Sequence, residues 1–159
     1  MNRLYLLLGG NQGNPEKNLA KAAGLINKSV GKIIRRSSVY QTAAWGNTEQ
    51  PDFLNQVLIV ETRLDAWNCM KACLDIETAM GRVRSFKNAP RIIDIDILFL
   101  NKEVISSPEL VIPHPAMQLR RFALVPLNEL SPNFIHPVFK QSVHQLLLHC
   151  PDPLNVNKI

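Results

Sequence analysis

An α+β fold is what this sequence of 159 residues predicts. Three observations carry the prediction. Short β-branched or leucine-rich runs fall at residues 2–8, 32–41, 53–63 and 91–100; two segments between them repeat apolar residues at helical spacing; and Gly, Asn and Pro cluster where one kind of segment gives way to the other.

Taken in order, NRLYLLL (2–8) is closed by Gly9-Gly10-Asn11 and Gly13-Asn14-Pro15, the pattern of a buried strand ending in a turn. Asn14 can cap a helix and Pro15 suits a first helical turn, after which Leu19, Ala22, Ala23 and Ile26 recur on one face up to Gly31. KIIRRSSVYQ (32–41) and FLNQVLIVETR (53–63) read as two further strands joined by the loop TAAWGNTEQPD. Asp65 caps a second helix through Ala66, Met70, Cys73, Leu74, Glu77 and Met80, which Gly81 stops. The basic loop RVRSFKNAP and the β-rich RIIDIDILFL follow. This β-α-β-β-α-β order is the split βαβ, or ferredoxin-like, pattern, with helices expected on one face of an antiparallel sheet. The remaining residues are proline-rich and glycine-free, with helical pieces at 120–130 and 142–149; they read as a C-terminal extension, a layer appended to one domain spanning 1–159.

At this length a folded chain buries roughly 68–70% of the surface its unfolded form exposes, so no disulfide or structural metal is needed for a core. The 46% hydrophobic content excludes disordered and collagenous classes. Eighteen Lys and Arg against thirteen Asp and Glu give a net charge of +5, which suits an anionic partner, nucleic acid or nucleotide phosphate alike. The odd set Cys69, Cys73 and Cys150, with no signal-peptide pattern, predicts reduced thiols and a cytoplasmic location. No apolar stretch approaches the ~20 residues of a membrane helix, so no membrane partner is expected. Cys69 and Cys73, one helical turn apart and without zinc spacing, read as core. None of the seven glycines begins a P-loop, Rossmann or nucleophile-elbow motif, so any phosphate must be held by arginines and a metal.

In Ile92-Ile93-Asp94-Ile95-Asp96-Ile97-Leu98-Phe99-Leu100, strand alternation puts Asp94 and Asp96 on one face and Ile93, Ile95, Ile97 and Phe99 on the other. Their Cα atoms would stand roughly 6.5 to 7 Å apart, close enough to share hard cations. The ordinary alternative is the solvent face of an amphipathic strand. Against it, the pair follows a loop from Arg82 to Arg91 that holds no acid. Magnesium takes one or two carboxylates and fills its other sites with water and phosphate oxygens, while Arg82, Arg84, Lys87 and Arg91 can neutralise the phosphate. Phosphoryl transfer needs chiefly positioning and charge stabilisation. The residues alone thus point to a magnesium-dependent handler of a nucleotide or other polyphosphate.

The string GRVRSFKNAPRIIDIDILFL, with LGGNQGNPEKNL and FLNQVLIVET before it and VIPHPAMQLRRFAL after it, resembles the hydroxymethyl-dihydropterin pyrophosphokinase family over nearly the whole chain. Its most specific piece, Pro90-Arg91-Ile92-Ile93-Asp94-Ile95-Asp96-Ile97-Leu98, looks like the family's P-R-x-x-D-x-D-I-L signature. The resemblance implies a ferredoxin-like α+β fold and transfer of pyrophosphate from ATP to reduced hydroxymethylpterin, releasing AMP. It implies that Asp94 and Asp96 bind two magnesium ions and, with Arg82 and Arg91, form the catalytic set. Glu77, Arg84, Ile97, Val111, His114 and Arg120 match ATP-side positions. The pterin pocket is expected from Thr42, Ala43, Ala44, Trp45, Phe53, Asn55 and Phe122, with the ring stacked between Phe53 and Phe122 and its edge read by the Asn55 amide. Loops 42–52 and 82–90 are expected to close over the substrates. A monomer is expected.

The chain departs from the commoner family pattern at several points. Thr42-Ala43-Ala44 replaces Thr-Pro-Pro, Asn88-Ala89 replaces an aromatic, Leu74 a glutamine and Pro115 a tyrosine, and Glu109 falls where a base sometimes sits. These bear on loop stiffness and ATP-side contacts and leave the acid pair untouched. A ferredoxin-like nucleic-acid-binding module without catalysis is the alternative. It would need aromatics alternating on strands one and three, where only Tyr5 and Phe53 stand, and the chain carries no RNA-recognition string. No nucleic-acid partner is therefore expected. An idle nucleotide-binding relative would not need Asp94, Asp96, Arg82 and Arg91 together.

Overall fold

The computed structural model describes residues 1–44, 49–82 and 91–159. Its core runs β1 (Asn2–Gly10), α1 (Pro15–Ser29), β2 (Lys32–Arg36), β3 (Tyr40–Thr42), β4 (Phe53–Thr62), α2 (Ala66–Ala79) and β5 (Asp94–Leu100). The C-terminal part holds β6 (Ile105–Ser106), β7 (Val111–Ile112), α3 (Arg121–Leu130), α4 (Val143–Leu148) and β8 (Val156–Lys158). One antiparallel sheet orders β5-β1-β4-β3-β8, with β2 also paired to β4, and β6 and β7 form a separate hairpin. This is an α+β architecture with an antiparallel sheet.

Both long helices start as their sequences predict. The Asn14 side chain accepts from the Lys17 amide ahead of Pro15, and Asp65 accepts from the Asn68 amide. Their apolar stripes, Leu19, Ala22, Ala23 and Ile26 of α1 and Cys69, Cys73 and Ile76 of α2, bury against Leu4, Leu6 and Leu8 of β1. Helices on one face describes α1 and α2 only. The C-terminal extension lays α3 and α4 on the other face, where Ala123, Leu124, Leu127, Val143 and Leu146 cover Tyr5, Leu7, Val57 and Ile59. β1 therefore alternates between two apolar cores, which is why it reads as a continuous leucine run.

Two strands differ from expectation. Residues 32–41 form two strands, because the Ser37 hydroxyl accepts the Val57 amide in place of a backbone partner and Ser37–Val39 carry one more residue than the opposing β4. Phe99 lies on the acids' face, among Tyr5 and Phe134, not with Ile93, Ile95 and Ile97. The cause is a bulge: β1 pairs Tyr5 with Phe99 and then Leu6 with Ile97, so Leu98 is an extra residue that resets the alternation.

Candidate active site

β5 is an edge strand whose first residues emerge between two clefts. Asp94 stands opposite Gly9 and Asp96 opposite Leu7, so both carboxylates project on the face that the C-terminal layer leaves open at this end of the sheet. The first cleft is lined by Thr42, Ala43, Phe53, Asn55, Arg91, Asp94, Asp96, Arg120 and Phe122, with Leu7 and Gly9 on its floor. The second lies along α2, β5 and β7 and holds Leu74, Ile97, Glu109, Val111, His114 and Pro115. Asp96 lines both.

Charge is concentrated around Asp94. Its two oxygens meet Arg82 Nη1 at 2.7 Å and Arg91 Nη1 at 2.9 Å. Arg82 Nη1 also meets Glu77 Oε1 at 2.8 Å, and Glu77 Oε2 accepts the Ile95 amide at 2.7 Å, so a buried acid of α2 orients both an arginine and the strand that carries the acid pair. Burial, with Asp94 adding to it, raises the Glu77 carboxyl above its ordinary value despite these donors. Asp96 has no such support: among the described residues none donates it a hydrogen bond. Burial first, then the charge of Asp94, push its carboxyl up to about 7. Two acids of which one is undersupplied with positive charge form a hard-oxygen donor set suited to magnesium.

His114 is held by its own main chain. Its amide donates to the Leu98 carbonyl and its Nδ1 accepts from the Ala116 amide at 3.1 Å, which leaves the proton on Nε2. Burial, then the charge of Arg120, lower it to about 4, so it is neutral near pH 7. On the other side of the acids, the Arg120 guanidinium lies 5.6 Å from the Phe122 ring centroid. The Thr42 hydroxyl is buried without a hydrogen-bond partner, and Asn55 Nδ2 donates to the Leu8 carbonyl at 3.2 Å.

The fold thus brings Thr42, Ala43, Phe53, Asn55, Phe122, Arg91 and Arg120 to one side of the acids and Ile97, Val111 and His114 to the other. Ala44 is buried and does not line the cleft. Trp45 and Arg84, and with them Lys87, lie outside the described residues, as do 45–48 of one loop expected to close and 83–90 of the other. Sequence reasoning missed Asn11. Its Oδ1 accepts the Arg91 amide at 3.0 Å, its own amide donates to the Arg91 carbonyl at 3.0 Å, and its Nδ2 reaches Gln50 Oε1 and the Pro51 carbonyl. It also missed Gly9, where any Cβ would collide with the Asn55 amide. The paired glycines before Asn11 were the available signal, since glycine at a strand end marks a close approach as often as a turn.

An α+β chain with an acid pair among arginines, one acid of which lines two clefts, is of the class that can hold a cation and a polyphosphate between two bound molecules. A family model described as 7,8-dihydro-6-hydroxymethylpterin-pyrophosphokinase (HPPK) matches residues 5–132, and the chain belongs to that family. The 2-amino-4-hydroxy-6-hydroxymethyldihydropteridine pyrophosphokinase of Methylorubrum extorquens is 36% identical over 160 residues, 100% of this chain and 99% of that one. The protein of the same name from Aquifex aeolicus is 37% identical over 91% of this chain and 90% of its own. Folic acid synthesis protein FOL1 of Dictyostelium discoideum is 36% identical over 99% of this chain, which spans only 24% of that protein. Among solved structures, Plasmodium falciparum HPPK-DHPS with pteroate superposes at a TM-score of 0.75 and 20% identity, covering 92% of this chain and 42% of that chain. This last likeness is one of fold.

Proposed function

We propose that the chain transfers pyrophosphate from ATP to 6-hydroxymethyl-7,8-dihydropterin in folate biosynthesis, giving the pterin diphosphate and AMP, with magnesium required. The observation that carries this reading is Asp96 lining both clefts: a donor in one and an acceptor in the other would meet at the acid pair. Two magnesium ions held by Asp94 and Asp96 would supply charge neutralisation of the triphosphate. Two are expected because the family resemblance carries a pair.

The first cleft takes the pterin. Phe53 and Phe122 offer two faces for a flat ring, while the unpartnered Thr42 hydroxyl and the Asn55 amide supply the polar edge. The second cleft takes the nucleotide against Ile97 and Val111, with the Nε2–H of His114 free to donate to an anion. Arg82 and Arg91 pair with Asp94, and their remaining donors would neutralise polyphosphate oxygens while Asp94 and Asp96 would hold the cation. Arg84 and Trp45 are assigned here on the resemblance alone. The hydroxymethyl oxygen then attacks the β-phosphorus and the α,β-bridging bond breaks, so the chain's own residues position the reactants and stabilise charge without a covalent intermediate.

The same reading takes the core as ferredoxin-like, from its element order, and the chain as a single cytoplasmic, monomeric domain. No helix among the described residues is long and apolar enough to cross a membrane. It finds no use for nucleic acid: Tyr5, the aromatic an RNA-binding sheet would present on its first strand, is buried beneath the C-terminal layer against Phe99 and Phe134. Phosphorus NMR of the protein with ATP, magnesium and reduced hydroxymethylpterin tests the proposal. AMP and a pterin diphosphate should appear together; ADP, or no turnover by folded protein, rejects it.

A further inference from the structure

α3 begins without a cap of its own. Its N-cap residue is Arg120, whose side chain makes no capping hydrogen bond. The first amide of the helix, that of Arg121, is instead taken at 3.0 Å by Oδ2 of Asp152, a residue 31 positions away and only 4% exposed. Asp152 Oδ1 accepts the Leu154 amide at 3.0 Å, and Arg121 Nε donates to the Leu154 carbonyl at 3.2 Å. The tail thus clasps Arg121 through both its main chain and its side chain. The residues on either side of Arg121 are Arg120 and Phe122, which line the first cleft. Two residues beyond Leu154, β8 pairs with β3, placing Val156 opposite Thr42, and the Ile159 amide donates to the Val39 carbonyl. Thr42 lines that same cleft. Residues 152–159 therefore tie the helix start carrying Phe122 to the strand carrying Thr42, and they lie beyond the 5–132 that the family model matches.

We propose that Asp152 is a positioning residue: through its bond to the Arg121 amide it fixes Phe122 and Arg120 against the Thr42 strand and so sets the affinity of the first cleft for its acceptor. The acceptor part rests on the assignment of that cleft to the pterin. Burying a carboxylate is costly unless its hydrogen bonds are made, and the helix start that this one secures is the one that carries residues of the cleft. The second cleft is lined by no residue of α3 or β8 and meets the first only at Asp96, so nucleotide binding should feel the change less than acceptor binding does.

The test compares the wild-type chain with Asp152→Ala, Asp152→Asn and Arg121→Met. Asparagine keeps one acceptor, and methionine keeps the stem while removing only the Nε bond. Hydrogen exchange of residues 121–124 is read without ligand; dissociation constants are then measured for 6-hydroxymethylpterin and for a non-hydrolysable ATP analogue with magnesium. In Asp152→Ala, exchange at 121–124 should quicken about tenfold and pterin binding weaken about fivefold, the size of one lost helix cap, while the ATP analogue stays within about twofold. The two milder variants should fall between, and they decide the matter if the alanine variant does not fold. Unchanged exchange, or equal weakening of both ligands, overturns the proposal. Faster exchange in a chain whose wild type binds no pterin overturns the acceptor part and the cleft assignment with it, but leaves the clasp standing.

Discussion

The Asp96 carboxyl is pushed up to about 7 in the folded chain from an ordinary value of 3.8, because the protein around this half-buried group desolvates it and Asp94 stands beside it. Between those values the folded form keeps a proton that the unfolded chain has lost. The stability this contributes is full below pH ~4 and is lost as the pH rises through ~7. Urea titrations of metal-free protein should show that loss in the wild type and not in Asp96→Asn, whose melting temperature at pH 8 should equal or exceed the wild type's. AMP formation by the same variant should fall at least ~1000-fold, since a neutral amide cannot replace a ligating carboxylate. A variant that melts far lower instead would make the acid structural. At His114, asparagine can keep the acceptor at Nδ1 and drop the Nε2 donor; His114→Asn should raise the KM for ATP about tenfold, the scale of one hydrogen bond to a charged group, and leave that for pterin alone. At this scale the acid pair was legible because strand alternation makes D-x-D a same-face pair. Asn11 was not, because its partner Arg91 lies 80 residues away and a lone asparagine after two glycines reads as a turn.

Among the elements, the end of β1 is where backbone spacing becomes site geometry. Gly9 faces Asn55 across the β1–β4 ladder and Asp94 across the β1–β5 ladder, and the absence of a Cβ is what lets the Asn55 amide lie over the strand. Gly9→Ala should push Asn55 aside, cost about 1–3 kcal/mol as an overpacked contact, and weaken pterin more than nucleotide; denaturant unfolding and paired KM values check both halves. The helices and long strands could be read because they bury one face with a fixed period. The shorter pieces could not. β6 and β7 have two residues each, β8 is largely exposed and carries no apolar alternation, and the bulge at Leu98 leaves no mark in a run that is apolar throughout.

In the whole molecule the sheet is covered on both faces, and the C-terminal layer brings its own buried titratable group. His136 is 3% exposed, stacked on Phe139 at 4.4 Å and edge-on to Phe99, with Nδ1 accepting from the Val138 and Phe139 amides. Burial lowers it to about 4. Below pH ~6.5 the unfolded chain takes up a proton that the folded one refuses, so stability present above 6.5 is lost as the pH falls toward 4. His136→Asn, which retains the acceptor, should lose less stability than the wild type between pH 7 and 5 in urea titrations; an unchanged slope would show that this ring does not drive acid unfolding. That the tail packs as a layer was legible from its proline content and short helical periods. Which face it covers was not, since that follows from Leu7, Val57 and Ile59, whose two-sided burial looks the same in sequence whatever lies above them.

The most direct test of the central claim, that Asp94 and Asp96 hold the cations that grip the triphosphate, is a manganese titration followed by electron paramagnetic resonance in the presence of a non-hydrolysable ATP analogue. Wild type should bind two ions per chain, and Asp96→Asn should lose at least one of them while remaining folded. Equal manganese binding by the two proteins would contradict the account.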